Sequence, residues 1–194
     1  MEAMRVNTNY LCFKLIGINI VFYILQQIMP FFENLLILYP PEFLHRPWMI
    51  VSAMFLHGSF NHLFENMFAL LMFGITLEQI IGKKKFLFVY FATGIAGNIA
   101  GLFFYPTVPS LGASGAIMGV IGALTLISPF TIVYFVGLPL PLIFISAAWI
   151  LIDLTGMIFP QPGIGYAAHV FGFASGLLVA WYLKKKYRKA QLMI

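Results

Sequence analysis

The sequence predicts an all-α, polytopic membrane protein: a single domain over residues 1–194, built as a bundle of six transmembrane helices. Three observations carry this. The chain is 61% hydrophobic and 9% charged, with a mean hydropathy of +0.95, which leaves too few polar side chains to cover a water-soluble surface. Six apolar segments can be counted, at 11–29, 59–81, 86–105, 114–128, 140–158 and 166–183, separated by Pro-, Gly- or Lys-rich breaks. A hydrocarbon core of roughly 30 Å takes about 20 residues of helix, so the length holds about six spans and no sizeable soluble domain.

The segment at 11–29 is closed by Pro30. No small-residue cleavage site follows it, so it reads as a retained first span, with the mature chain starting at Met1, and not as a removed signal peptide. Cys12 is the only cysteine, which excludes an internal disulfide framework and leaves a small buried apolar residue as its simplest reading. Residues 31–55 carry Glu33, Glu42, His45 and Arg46 among prolines and aromatics, as expected of one long external loop lying in the membrane interface. The second span, 59–81, ends at Gly82 and the run Lys83, Lys84, Lys85, and the third, 86–105, is followed by Pro106 and Pro109. The fourth, 114–128, stops at Pro129. Residues 131–137 are β-branched and aromatic and read as an interfacial connector, after which Pro139 and Pro141 open the fifth span as first-turn prolines. Pro160 and Pro162 separate it from the sixth.

The net charge of +5 sits at span ends. Arg5, Lys83 to Lys85, and Lys184, Lys185, Lys186, Arg188 and Lys189 fall on one side of a six-span arrangement, so the positive-inside rule predicts cytoplasmic termini in a cell membrane. The same placement argues against nucleic-acid binding. The four histidines are too scattered for a metal-ligand motif. No repeat of spans is evident, which argues against a transporter built from two halves, and no feature fixes an oligomeric state.

Polar residues inside spans are unfavourable in lipid and call for a partner or a function. In this topology spans two, four and six run from outside to inside, and His62, Asn66, Ser114 and His169 lie in their outer parts. The fourth span, 15 residues from Ser114 to Ser128, makes only roughly 22 Å of helix. If its inner end reaches the cytoplasmic interface, Ser114 lies below the outer surface, and the loop holding Pro109 and Gly112 must descend to meet it. Such a descent needs burial in protein or a water-filled cavity, and the cavity would supply water for hydrolysis.

A serine hydroxyl needs a base, and His169 is the available one. Ser114 starts a helix between Gly112 and Gly115, where free N–H groups favour a developing oxyanion and glycine lets a substrate backbone approach. His62 and Asn66, four residues apart, share a helix face and can add donors. Taken singly, each feature has a plainer reading. Gly112 to Gly115 suits an N-cap with small-residue packing, Gly172 and Gly176 suit close helix packing, and His62 with Asn66 suits interhelical hydrogen bonding. Their conjunction favours catalysis.

From about Trp48 to Gly176 the sequence resembles the rhomboid family of intramembrane serine proteases. Gly112-Ala113-Ser114-Gly115 is similar to the family's nucleophile motif, and Ala168-His169 followed by Gly172 and Gly176 to its base motif. His62 to Asn66 matches the second-span His and Asn, and Gly74, Glu78 and Gly82 a structural pattern at that span's inner end. The resemblance implies a Ser114–His169 dyad without a buried acid, with the Ser114 amide, His62 and Asn66 stabilising the oxyanion. It implies cleavage of transmembrane substrates in the bilayer near their outer ends, with no metal or cofactor. The fifth span and the 159–165 loop would then admit the substrate.

Three departures stand out. Trp48 is followed by Met49 where many members have Trp-Arg, and Arg46 lies on its other side. Met118 stands where an aromatic residue commonly packs against the catalytic histidine. Glu65 and Asp153 are unusual intramembrane acids, either of which could tune His169 or serve structural hydrogen bonding or water contact. The rival readings are a non-catalytic rhomboid-like binder of membrane helices, which has no chemical need for both Ser114 and His169, and a small transporter, which would need an ionisable path that is not evident.

Overall fold

The computed structural model of the protein describes residues 10–135 and 137–191. Met1 and Arg5 lie outside the described residues, as do the side chains of Lys185, Lys186, Arg188 and Lys189. Nine α-helices are described. The first span is α1 (Leu11–Ile28), ending one residue before Met29 and Pro30. The 31–55 region is not a plain loop. It holds the short helices α2 (Phe32–Leu36) and α3 (Met49–Ser52) and two 3-10 turns, Pro40–Glu42 and Ala53–Phe55.

The second span runs as α4 (Phe60–Ala69), a π-helical turn at Leu70–Gly74, and α5 (Ile75–Ile81). The π turn sits where α1 comes closest. The Cys12 thiol donates to the Leu70 carbonyl at 3.1 Å, and a side chain at Gly74 would meet the Cys12 sulfur at 2.9 Å. Gly82, at φ +80°, is a conformation that glycine adopts without a Cβ penalty, and it turns the chain into α6 (Lys83–Phe104). The third span therefore starts three residues earlier than expected, because the lysines continue the helix.

The fourth span is α7 (Ser114–Ile127). The fifth segment departs most from expectation. Two strands, β1 (Ile132–Phe135) and β2 (Leu138–Pro141), pair antiparallel, and α8 (Leu142–Ile158) begins only after Pro141. The β-branched and aromatic run favours strand pairing, which leaves Pro139 and Pro141 in strand β2 and not in a helix's first turn. The last span, α9 (Tyr166–Gln191), continues through the basic run past residue 183. Among the described residues, four helical stretches are long and apolar enough to cross a membrane, and α7 and α8 are shorter apolar helices.

The core is centred on α7, where 11 of the 14 residues are buried. Small residues allow this. Side chains at Gly172 and Gly176 of α9 would collide with the carbonyls of Gly115 and Gly119 of α7, and one at Gly97 of α6 would lie 2.7 Å from the Ala168 carbonyl of α9. The backbones of α6, α7 and α9 thus approach closely, as small-residue interfaces permit in lipid. Elsewhere the surface is apolar: Leu151, Ile152 and Ile158 of α8 are 67%, 63% and 71% exposed, as lipid-facing positions should be.

Polar ties also hold α1 at both of its ends. The buried Glu78 carboxylate accepts from the Leu11 and Cys12 amides at 2.8 and 2.9 Å, satisfying two of the donors left free at a helix start. At the other end of α1, Gln26 accepts from the His57 amide at 2.9 Å. The start of α1 therefore lies beside the end of α5 and the lysines that follow it.

Candidate active site

The helices α4, α7 and α9 begin at the same end of the bundle, and each presents a polar residue near its start. Ser114 is the first residue of α7, His62 the third of α4, and His169 the fourth of α9. The loop before α7 is pinned at depth. Leu38 and Ser110 exchange hydrogen bonds at 3.1 and 2.8 Å, and the Gly112 amide donates to the Ala53 carbonyl at 2.9 Å. Leu38 and Ala113 are fully buried. With its 14 residues making roughly 21 Å of helix, α7 starts in the interior and the 31–55 region supplies the partners that the descending backbone needs.

Ser114 Oγ and His169 Nε2 are 2.9 Å apart, although 55 residues separate them in sequence. The other ring nitrogen, Nδ1, is 3.0 Å from Asp153 Oδ1. A neutral imidazole whose Nδ1–H donates to that carboxylate has Nε2 free to accept from the serine hydroxyl. This corrects the expectation drawn from the resemblance, since a buried acid does stand behind the histidine. Asp153 is 7% exposed. Sequence reading singled out Asp153 as an unusual acid but left its role open. Glu65, the other such acid, is exposed and lies on the wall of the same cavity.

That cavity, of about 1190 Å³, contains Ser114 and His169 together with His62, Asn66, Asn98 and Tyr166. The polar side chains on its walls can hold water. Met118 also lines it and is 8% exposed.

The opposite wall carries His62. Its Nδ1 accepts from the Gly58 amide at 3.4 Å, which leaves Nε2 as the protonated, donating nitrogen. The position that a side chain at Gly112 would take lies 2.9 Å from His62 Nε2 and 3.7 Å from Ser114 Oγ. Glycine at φ +127° therefore keeps open a space that a substrate oxygen could occupy between a donor and the serine. Asn66 is buried and lines the cavity. One of its amide hydrogens goes to the His62 carbonyl at 2.8 Å, and the amide carries a second.

The remaining motif residues hold the frame. Gly115 and Gly172 form the α7–α9 approach, with Gly119 and Gly176 one turn deeper, and Glu78 caps α1. Trp48 is half-exposed, its indole donating to the Leu35 carbonyl at 3.0 Å. Arg46 pairs with Glu42 at 3.1 Å and donates to the Asn34 carbonyl at 3.3 Å, so the loop is tied on the other side of Trp48 from Met49, which is itself fully buried. Among the described residues no cluster of three or more His, Cys, Asp or Glu side chains is placed to hold a metal ion.

Comparison with known proteins bears on this geometry. Residues 44–186 match the sequence profile of the Rhomboid domain. Rhomboid protein 1, mitochondrial, of Saccharomyces cerevisiae is 31% identical over 194 aligned residues, covering 92% of this chain and 55% of the yeast protein. The putative rhomboid protease YdcA of Bacillus subtilis is 32% identical over 147 residues, covering 73% of this chain and 70% of that protein. A third relative, of Arabidopsis thaliana, is named inactive RHOMBOID-like protein 8, with 35% identity over 80 residues, covering 41% of this chain and 23% of that protein. The chain thus spans about half the length of the yeast relative and a smaller share of the plant one.

Proposed function

The chain belongs to the rhomboid family, and from that premise we propose that it is an intramembrane serine endopeptidase, cutting transmembrane segments near their outer ends with Ser114 and His169. The family is generally one of intramembrane serine proteases, and this chain is a multi-pass membrane protein. The observation that carries the reading is the 2.9 Å approach of Ser114 Oγ to His169 Nε2 inside a cavity that several polar side chains share.

The chemistry follows from the arrangement. His169 Nε2 takes the hydroxyl proton as Ser114 Oγ bonds to the scissile carbonyl carbon, and the carbonyl π electrons move onto oxygen. The resulting oxyanion sits in the space before Gly112, facing His62 Nε2, the Ser114 amide and the Asn66 amide. His169 then gives its proton to the leaving amine nitrogen as the C–N bond breaks. Water from the cavity attacks the acyl-enzyme, His169 takes its proton, and the acid product leaves with Ser114 reprotonated.

Orientation is part of the same proposal. Glu78 holds the start of α1 next to the end of α5 and Lys83 to Lys85, so the N-terminal side and that basic turn share a face, which positive-inside bias makes cytoplasmic. Ser114 and His169, near the starts of α7 and α9, then open toward the outer face. Transmembrane proteins are the proposed substrates, with α8 and the 159–165 loop as the point of admission.

The non-catalytic alternative has a namesake among the relatives, the Arabidopsis protein named inactive. A helix binder has no use for a serine aligned on a histidine nitrogen, and that alignment favours the protease. The test is cleavage of a single-span reporter in detergent by wild type and Ser114→Ala, with a fluorophosphonate probe in parallel. Cutting and labelling in wild type that both vanish in the folded variant support the protease; a folded wild type that neither cuts nor labels supports the binder.

A further inference from the structure

We infer that Asp153 is a positioning residue for His169, so that this site works as a Ser114–His169–Asp153 relay and not as a serine–histidine pair alone; the inference rests on the protease reading above. Three features of the site support it. The three groups are joined through one ring, with Ser114 Oγ 2.9 Å from Nε2 and Asp153 Oδ1 3.0 Å from Nδ1. Asp153 and His169 are both largely shielded, with side-chain exposures of 10% and 19%. Asp153 sits within the apolar helix α8, where an unpaired carboxylate is strongly unfavourable.

Two consequences follow for the base. A carboxylate accepting from Nδ1–H fixes the tautomer that leaves Nε2 able to take the serine proton, and it holds the ring plane toward Ser114. It also stabilises the imidazolium that forms as that proton arrives. The Met118 position lacks the flat ring that could pack against an imidazole, and a thioether is a poor guide for one. A hydrogen bond from α8 supplies the orientation instead.

The other titratable groups around His169 do not duplicate this role. On α4, His62 lies across the cavity and Glu65 on its exposed wall. Tyr105, at the end of α6, accepts from the Ala167 amide at 3.2 Å, and Tyr166 is buried on α9 itself. On α7 the facing group is Ser114. Among the described residues no Lys or Arg lines the cavity, so Asp153 has no competing cation there.

The experiment is the pH dependence of reporter cleavage by Asp153→Asn and Asp153→Glu, with fluorophosphonate labelling of wild type as a control on the underlying reading. Neutral His169 is the active form, so the rate falls on the acid side as the ring protonates. Removing the carboxylate charge makes protonation harder. Asp153→Asn is therefore expected to lower the plateau by roughly 10²- to 10⁴-fold and to move the acid limb to lower pH. Asp153→Glu keeps the charge on a longer stem, so its limb stays at the wild-type position while its plateau falls. A purely structural role would lower the amount of folded protein and leave the limb of the remainder in place.

Wild-type plateau and limb in folded Asp153→Asn would overturn the inference. If Asp153→Asn does not fold, Asp153→Glu decides: an acid limb displaced to lower pH despite the retained charge would overturn it. Failure of wild type to label would instead overturn the serine-protease reading itself, so the two failures are distinguishable.

Discussion

Replacing Gly112 by alanine tests the proposed oxyanion space separately from Ser114 and His169. Two effects can be worked out. Gly112 has φ +127°, a region L side chains rarely adopt, and holding alanine there is unfavourable by roughly 1–3 kcal/mol. Against a stability of about 5–15 kcal/mol for a typical domain, the fold persists. The new methyl would lie 2.8 Å from His62 Cε1 and 2.9 Å from Nε2. Restoring an ordinary 3.4 Å contact needs a ring shift of about 0.6 Å, beyond the roughly 0.5 Å tolerance within which catalytic geometry works. The methyl also fills the space proposed for the oxyanion. Losing one such donor lowers kcat by roughly 10²- to 10³-fold, and Gly112→Ala is expected in that range. The assay is kcat and KM for a single-span reporter, with a thermal melt in the same detergent. Gly58→Ala is the control, since a side chain there meets only Leu111 Cδ1, at 3.8 Å. Wild-type turnover by folded Gly112→Ala, or equal losses in both variants, would refute the placement of the oxyanion beside Gly112.

Other perturbations separate the remaining roles. His62→Ala or Asn66→Ala should each reduce kcat by roughly 10- to 10³-fold with little change in melting; unchanged rates in both would assign the pair to packing. Glu78→Ala removes the acceptor of two α1 amides and is expected to destabilise by roughly 1–3 kcal/mol. Chemical unfolding measures that loss, and an unchanged midpoint would mean that water serves those amides equally well. His57, buried beside the His62 ring at 5.1 Å, is pushed down to about 4, chiefly by burial and then by the neighbouring His62 charge. Unfolding raises its proton affinity, so its contribution to stability is complete above about pH 6.5 and is lost as pH falls toward 4. Melts of wild type and His57→Gln from pH 7.5 to 4 should therefore shift in the variant's favour on acidification, and a gap constant with pH would count against it. A cross-link between α4 and α8 should block cleavage of a transmembrane reporter; full activity would move the point of admission elsewhere.

The sequence made the bundle legible because each span is a local statement: an apolar run, a break, and a basic end. Its errors fell where local signals compete. Lys83 to Lys85 read as a break, yet once Gly82 has turned the chain they are good helix formers. The run after Thr131 read as a connector, but the β-branched and aromatic Ile132–Phe135 stretch can satisfy its backbone on Leu138–Pro141 beyond Gly137, giving β1 and β2. The prolines at 139 and 141 fit both a helix start and a strand, and only pairing decides.

The site divides in the same way. Ser114, His62, Asn66 and His169 could be singled out because polar residues at similar depth in helices running the same way stand out in apolar sequence. Asp153 stood out too, but its partner could not be read. It lies 16 residues before His169, on an antiparallel helix across a Pro- and Gly-rich turn, so its register depends on how that turn closes and how α8 packs on α9. Neither has a periodic signature. The same packing explains why the glycines of α7 and α9 matter to chemistry. They carry no reactive group, yet the backbone approach of Gly172 to Gly115 sets the distance between the helix that bears the proposed nucleophile and the one that bears the proposed base. A shift of 1 Å between those helices would stretch the 2.9 Å Ser114–His169 contact beyond hydrogen-bond reach. Under the proposed mechanism small-residue packing is therefore a catalytic requirement as much as a structural one.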